Sequence, residues 1–389
     1  MNKSDLLFFS LVQVSIGKRE LLSSIPSQKE WMVLYELSQK QSLTGICFVG
    51  IQILHERDEK QIENLPKELL LQWYGEAAQL QDRNKTINDY CVKLQQKLYE
   101  DGFRSSILKG QGIATYYNDS SLQIKQVLES PLSVYRQPGD IDILIDASRE
   151  EIIQYVANNF HLEGFDYKHL HARIFPDVSV EMHFRPCVPQ RITVNRRWIQ
   201  FVKSCQLWDD TVNVNGAKLH VPSLEFNLVY ILLHIFMHML GEELTMKQYL
   251  DFYYVVRKAY NSGCDLQKAY DVAQRLGMKK FAQGVMWVLQ QVFGLERQNM
   301  ICEPDAKEGS FLLGRLIENK HERAKGMHGS FMWKLNVMKG QTTKNLHLIT
   351  HYPLEVFMQP VWLVYHFFWK RIWKLQHRHI FISGQRQPD

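Results

Sequence analysis

The run Arg136-Gln137-Pro138-Gly139-Asp140-Ile141-Asp142-Ile143-Leu144-Ile145 constrains this chain more than any other stretch. Pro138-Gly139 makes a turn, and the alternation after it predicts a buried strand whose first residues carry two acids. On a pleated strand Asp140 and Asp142 project from one face and Ile141 and Ile143 from the other. Two like charges so placed repel, and a cation between them relieves the repulsion. Carboxylates at this spacing suit Mg²⁺, a hard ion that keeps waters and shares its shell with substrate phosphates. A lone Asp-x-Asp more often marks a solvated turn, so its meaning depends on its company.

That company lies on both sides of the strand. Phe103 to Leu108 is a short strand candidate ending in Lys109-Gly110-Gln111-Gly112, after which Ile113 to Tyr117 opens a helix. A Gly110-x-Gly112 turn between strand and helix offers flexible backbone and free N–H groups where phosphate is well held, and Lys109 adds a point charge. Asn118 to Tyr135 reads as a loop or a short helical insertion. Ser148 to Phe160 predicts a helix capped by Ser148, with Glu150 and Glu151 in its first turn. His169 to Phe175 is a strand candidate, Pro176-Asp177 a turn, and Val178 to Phe184 an alternating strand that puts Glu181 on one face with His183. This order indicates a small mixed sheet. Alone, Glu181 reads as a solvent-facing strand residue; if its face is shared with the aspartates, it is a third carboxylate at their site. Two metals clamped by three acids orient a nucleoside triphosphate and lower the pKa of an attacking hydroxyl.

Around this segment the chain is helical, so the expected fold class is α+β, mostly helical, with a small mixed-sheet core flanked by helical regions. Its 389 residues exceed one ordinary core, and three parts are expected: 1–98, 99–221 and 222–389. Ser27 before Glu30 forms a capping box. Pro66 to Leu98 is one long amphipathic helix or two, and Val212 to Val221, centred on Asn215-Gly216, is a β-hairpin. Residues 320 to 350 read as loop, and Pro353 to Leu375 as a closing aromatic helix bent at Pro360. Hydrophobic content of 45% excludes a disordered chain, and a net charge of +5 permits an anionic substrate without arguing for a nucleic-acid groove. The six scattered cysteines form no C-x-x-C pair, so neither a disulfide framework nor a zinc knuckle is expected. Leu6 to Val14 is apolar but follows Asp5, contains Gln13 and lacks a cleavage site, so no signal peptide is expected. No window reaches the apolar length of a membrane span, and a cytoplasmic location follows. Trp362 to Trp373 with Lys370, Arg371 and Lys374 admits peripheral membrane contact, although a buried terminal helix explains the aromatics equally well. Arg191, Arg196 and Arg197 near Trp198 read as a solvated basic face or as a contact for an anionic acceptor.

The runs Ile107-Leu108-Lys109-Gly110, Arg136-x-x-Gly139-Asp140-Ile141-Asp142 and Val180-Glu181-Met182-His183 resemble a bacterial family of uncharacterised nucleotidyltransferases within the DNA polymerase β-like superfamily. The resemblance covers roughly residues 30 to 255. It implies transfer of a nucleotidyl group from an NTP to an unidentified acceptor (small molecule, sugar, protein or RNA end), with release of pyrophosphate and Mg²⁺ or Mn²⁺ as cofactor. It further implies Asp140, Asp142 and Glu181 as catalytic metal ligands, and Lys109, Gly110, Gln111, Gly112, Arg136 and Gly139 as nucleotide-binding positions. His234, His238 and Leu250-Asp251 resemble the family's C-terminal helices. The Lys-Gly-Gln-Gly turn departs from the superfamily's Gly-Ser. Two rivals stay open: a metal-dependent glycosyltransferase using Asp140-x-Asp142 for a nucleotide sugar, and a catalytically silent nucleotide- or partner-binding protein on the same fold. A dinucleotide fingerprint fails at Thr115, and His234/His238 lack the Glu of a zinc protease motif, which leaves them as core or pocket-edge histidines.

Overall fold

The structure, a computed structural model, describes residues 2–118, 130–241, 244–318 and 345–377. At the N-terminus lie α1 (Lys3–Ser15), α2 (Gln28–Lys40) and α3 (Thr44–Arg57). The capping box Ser27/Glu30 opens α2 as its sequence predicts, and Asn2/Asp5 does the same for α1. Helix α4 (Lys67–Glu100) is one unbroken helix of 34 residues. Its buried stripe changes partner along its length. Trp73 and Ala77 enter a helical core, while Ile87, Cys91, Leu94 and Leu98 enter a second core beneath the sheet.

The sheet contains β1 (Ser105–Ile107), β2 (Ile141–Ile145), β3 (His161–Phe165), β4 (His169–Arg173) and β5 (Val180–His183), in the order β1-β2-β5-β4-β3. β2 and β5 run parallel; the other neighbours are antiparallel. A short α5 (Gln111–Ala114) follows β1, and α6 (Arg149–Asn159), capped by Ser148, buries Ile152, Ile153 and Val156 against the sheet. The edge strand β3 was not expected from sequence. Its first four residues are exposed or half-buried, so it lacks the apolar signature that marks β2. Next come α7 (Ile192–Ser204) and the hairpin β6 (Asp210–Val214)–β7 (Ala217–Val221). Asn215 and Gly216 at its tip have φ of 52° and 84°, as a primed two-residue turn requires.

After the hairpin, α8 (Leu224–Gly241), α9 (Met246–Asn261), α10 (Leu266–Arg275), α11 (Lys279–Phe293), α12 (Ala306–Glu318) and α13 (Pro353–Gln376) complete the described chain. The N- and C-terminal helices share one apolar core. Polar ties seal it: Gln41 Nε2 donates to the Leu316 carbonyl at 3.0 Å, and Gln41 Oε1 accepts from the Met246 amide at 3.0 Å. Helices from opposite ends of the sequence therefore form one body, with the sheet attached to its side. Arg191 pairs with Glu355 at 2.9 Å and Arg197 donates to the Arg275 carbonyl at 2.7 Å, so both serve packing. Pro360 lies inside α13, whose Phe357, Val361, Val364, Phe368 and Ile372 are exposed, while Trp373 is buried against Phe165. Among the described residues no helix is long and apolar enough to cross a membrane. The six cysteines are free thiols. Most of the 119–135 insertion and of the 320–350 loop lies outside the described residues; 132–135 form a single helical turn.

Candidate active site

Strand register brings the acids together. Asp142 on β2 is the direct partner of Glu181 on β5, and Glu181 is in turn the partner of His171 on β4. One step along, His183 pairs with His169. Partners across a ladder project from the same face, so Asp142, Glu181, His183, His169 and His171 share one side of the sheet. Asp140, two residues before Asp142, joins them at the rim. This face floors a cleft of about 460 Å³ whose opposite wall carries Ile231, His234 and His238 from α8 and Lys247, Gln248 and Asp251 from α9.

Asp142 is 8% exposed. Its Oδ1 accepts from Lys109 Nζ at 2.9 Å and lies 3.0 Å from His183 Nε2. Burial opposes ionisation of Asp142, but the Lys109 ammonium and the His183 imidazole hold its carboxyl well below the usual carboxylate range. Glu181 Oε2 stands 3.4 Å from His183 Nε2 and 3.2 Å from His169 Nδ1. Burial and the Asp142 charge raise the Glu181 carboxyl, and the His183 hydrogen bond together with the His169 and His183 rings brings it below its usual value. Asp140 is driven the other way: burial, then the Glu181 and Asp142 charges, push its pKa up. Crowding of these three carboxylates leaves one resisting ionisation, and Lys109 and His183 balance part of their charge; among the described residues His169, Glu181 and His183 offer ligand atoms within 4.8 Å of one another, a donor set suited to a divalent cation.

The Lys109-Gly110 bend lies against the acid strand. The Leu108 amide donates to the Asp142 carbonyl at 2.9 Å, and Gly110 adopts φ +51°, where a side chain is strained. Gly112 has a different reason to be glycine: a Cβ there would stand 2.6 Å from the Ile107 carbonyl oxygen, so only glycine lets α5 close on β1. Gln111 is buried and points away from the cleft, its Nε2 donating to Asn88 Oδ1 at 2.5 Å and to Asn84 Oδ1 at 3.3 Å. Its side chain is an anchor onto α4. Lys109, Gly110, Gly139 and Arg136 do border the cleft. Arg136 is nevertheless committed to Asp251, with Nε to Oδ1 at 2.7 Å and NH2 to Oδ2 at 2.8 Å, and Tyr117 donates to the same Oδ1 at 2.7 Å. This buried bidentate pair ties the turn before Asp140 to α9.

Asn84 on α4 is the hub behind the site. It is buried, and its Nδ2 reaches the Val134 carbonyl at 2.8 Å and the Arg136 carbonyl at 2.7 Å, beside the contact with Gln111. One amide thus holds the glycine bend and the acid turn in register. Sequence reading passed over Asn84, Lys247 and the histidines of β4. The last had a signal: His169-x-His171 alternates with period two before a turn and Glu181-x-His183, so a hairpin faces the two pairs.

A family model described as uncharacterised nucleotidyltransferase matches residues 27–294. Among solved structures, an antigenic nucleotidyltransferase-like protein from Paracoccidioides brasiliensis aligns with 15% identity and a TM-score of 0.33, covering 58% of this chain and 96% of that one. A comparison with curated proteins gives no match. Since the family model spans more than half of the sequence, including every acid of the cleft, this chain belongs to the uncharacterised nucleotidyltransferase family.

Proposed function

We propose that the protein is a metal-dependent nucleotidyltransferase that moves an NMP group from an NTP to an acceptor oxygen. The observation that carries this reading is the β2–β5 register, which sets Glu181 beside Asp142 under a cleft that also holds Asp140 and Lys109. In the reaction the acceptor oxygen bonds to the α-phosphorus, a hydroxyl acceptor giving its proton to solvent, the bond from that phosphorus to the bridging oxygen breaks, and pyrophosphate leaves with the electron pair. Asp140, Asp142 and Glu181 would hold divalent cations, whose charge would stabilise the negative charge developing on the triphosphate. Lys109 and Lys247 bring further positive charge to the phosphates, while the Arg136–Asp251 pair positions the acid turn.

A glycosyltransferase would use Asp140-x-Asp142 alone and place no demand on Glu181, so the pairing of Glu181 with Asp142 favours nucleotidyl transfer. Pyrophosphate release from each of the four NTPs, with a cell lysate supplying acceptors, tests the reading. Asp142→Ala and Glu181→Ala are each expected to lose on the order of 10²-fold or more in turnover. Full activity of Glu181→Ala with a nucleotide sugar, and none with an NTP, would overturn it.

A further inference from the structure

We propose that the cleft binds a divalent transition metal through a mixed imidazole–carboxylate shell: Glu181 Oε2, His183 Nε2 and His169 Nδ1, with Asp142 Oδ1 beside it, 3.0 Å from His183 Nε2. The ion is of the Mn²⁺, Co²⁺ or Zn²⁺ class rather than Mg²⁺. This rests on the reading that Glu181 is a metal ligand, and it goes further by adding two histidines and a metal preference.

The geometry of His183 fits a ligand. Its Nδ1 lies 3.1 Å from the Arg185 carbonyl, which fixes the proton on that nitrogen and turns Nε2 toward the acids. Backbone carbonyls orient metal-binding histidines in this way. Nε2 then stands 3.0 Å from Asp142 Oδ1 and 3.4 Å from Glu181 Oε2. Donor atoms on one ion, with bonds of about 2.1 Å and angles of about 90–110°, stand roughly 3.0–3.4 Å apart.

A protonated His183 bridging two carboxylates would give similar distances, and His169 decides between the two. This ring is 4% exposed. Its Nε2 has polar partners, His171 Nε2 at 3.1 Å and Asp166 Oδ2 at 3.5 Å. Its Nδ1 is buried, makes no hydrogen bond among the described residues, and yet lies 3.2 Å from Glu181 Oε2. A buried ring nitrogen without a hydrogen bond is costly, and a bound cation would satisfy it as a ligand. His169, Glu181 and His183 each offer a ligand atom, all within 4.8 Å of one another. Imidazole nitrogens select borderline transition ions, whereas Mg²⁺ favours an all-oxygen shell.

The test is Mn²⁺ binding to the full-length purified protein, without nucleotide, followed by electron paramagnetic resonance. The expected result is a bound ion with nitrogen hyperfine coupling from imidazole that a large excess of Mg²⁺ does not displace. His169→Asn, checked for an unchanged melting curve, is expected to weaken Mn²⁺ binding by about tenfold or more. Bound Mn²⁺ with no nitrogen coupling, readily displaced by Mg²⁺, would overturn the mixed shell while leaving nucleotidyl transfer on a carboxylate site intact. The wild-type spectrum decides the matter even if the variant fails to fold.

Discussion

Asp140 and Asp142 stand two residues apart on the same face, yet their surroundings pull them in opposite directions. Asp142 is stabilised as a carboxylate by Lys109 and His183, while burial and the two neighbouring acids raise Asp140. Because the folded value of Asp140 lies above its unfolded one, the fold loses stability as pH rises through the carboxylate range, and the full loss is present at neutral pH. Asp140→Asn is therefore expected to raise Tm at neutral pH, to raise it less in acid, and to lower turnover; scanning fluorimetry in paired buffers checks this, and an unchanged Tm at neutral pH would contradict it. Lys247 carries a second pH signature. Burial and then Arg136 push its ammonium down to about 8. Its positive charge is lost as pH rises through that value, so NTP affinity is expected to fall there, and Lys247→Arg, which stays charged, flattens the titration. The acids were legible in the sequence because period-two alternation fixes their face. Lys247 was not, because helix α9 brings it to the cleft from more than a hundred residues away, and Asp251 stood out only through the resemblance of Leu250-Asp251.

Between elements, the site depends on α4 holding two loops at once. Asn84 bonds the carbonyls of Val134 and Arg136 from inside the helix. Asn84→Leu leaves both carbonyls buried and unpaired, a loss of about 1–3 kcal/mol. It should also weaken NTP binding, since the Lys109 bend and the Asp140 turn lose their common anchor. Urea unfolding and nucleotide titration measure the two effects, and wild-type values in both would contradict this role. Local chemistry announced the elements with strong signatures: the capping boxes at Ser27 and Ser148, the Asn215-Gly216 turn and the Ile-rich β2. Strand β3 and helix α7 were harder to read. β3 is a half-exposed edge, and α7 begins at Arg191 without a side-chain cap. The parallel pairing of β2 with β5 is set by the chain crossing over α6, β3 and β4, which no short stretch encodes.

At the scale of the molecule, residues before and after the sheet build one helical body, and α4 runs from that body into the sheet core. A shared helix couples the two cores, so the sheet and the helical body are expected to unfold in one transition, with far-UV and near-UV dichroism coincident in urea. Separate midpoints would show that the cores are independent. This coupling also matters for activity, because the acids sit on the sheet while Lys247 and Asp251 sit on the helical body, and the cleft exists only where the two meet. The most direct test of the account is a crystal structure with Mn²⁺ and a non-cleavable NTP analogue, using anomalous scattering to locate the metal. The account predicts anomalous density among Asp140, Asp142 and Glu181, with the α-phosphate against it and the triphosphate toward Lys109. Nucleotide bound away from the cleft, with no metal at these acids, would contradict it.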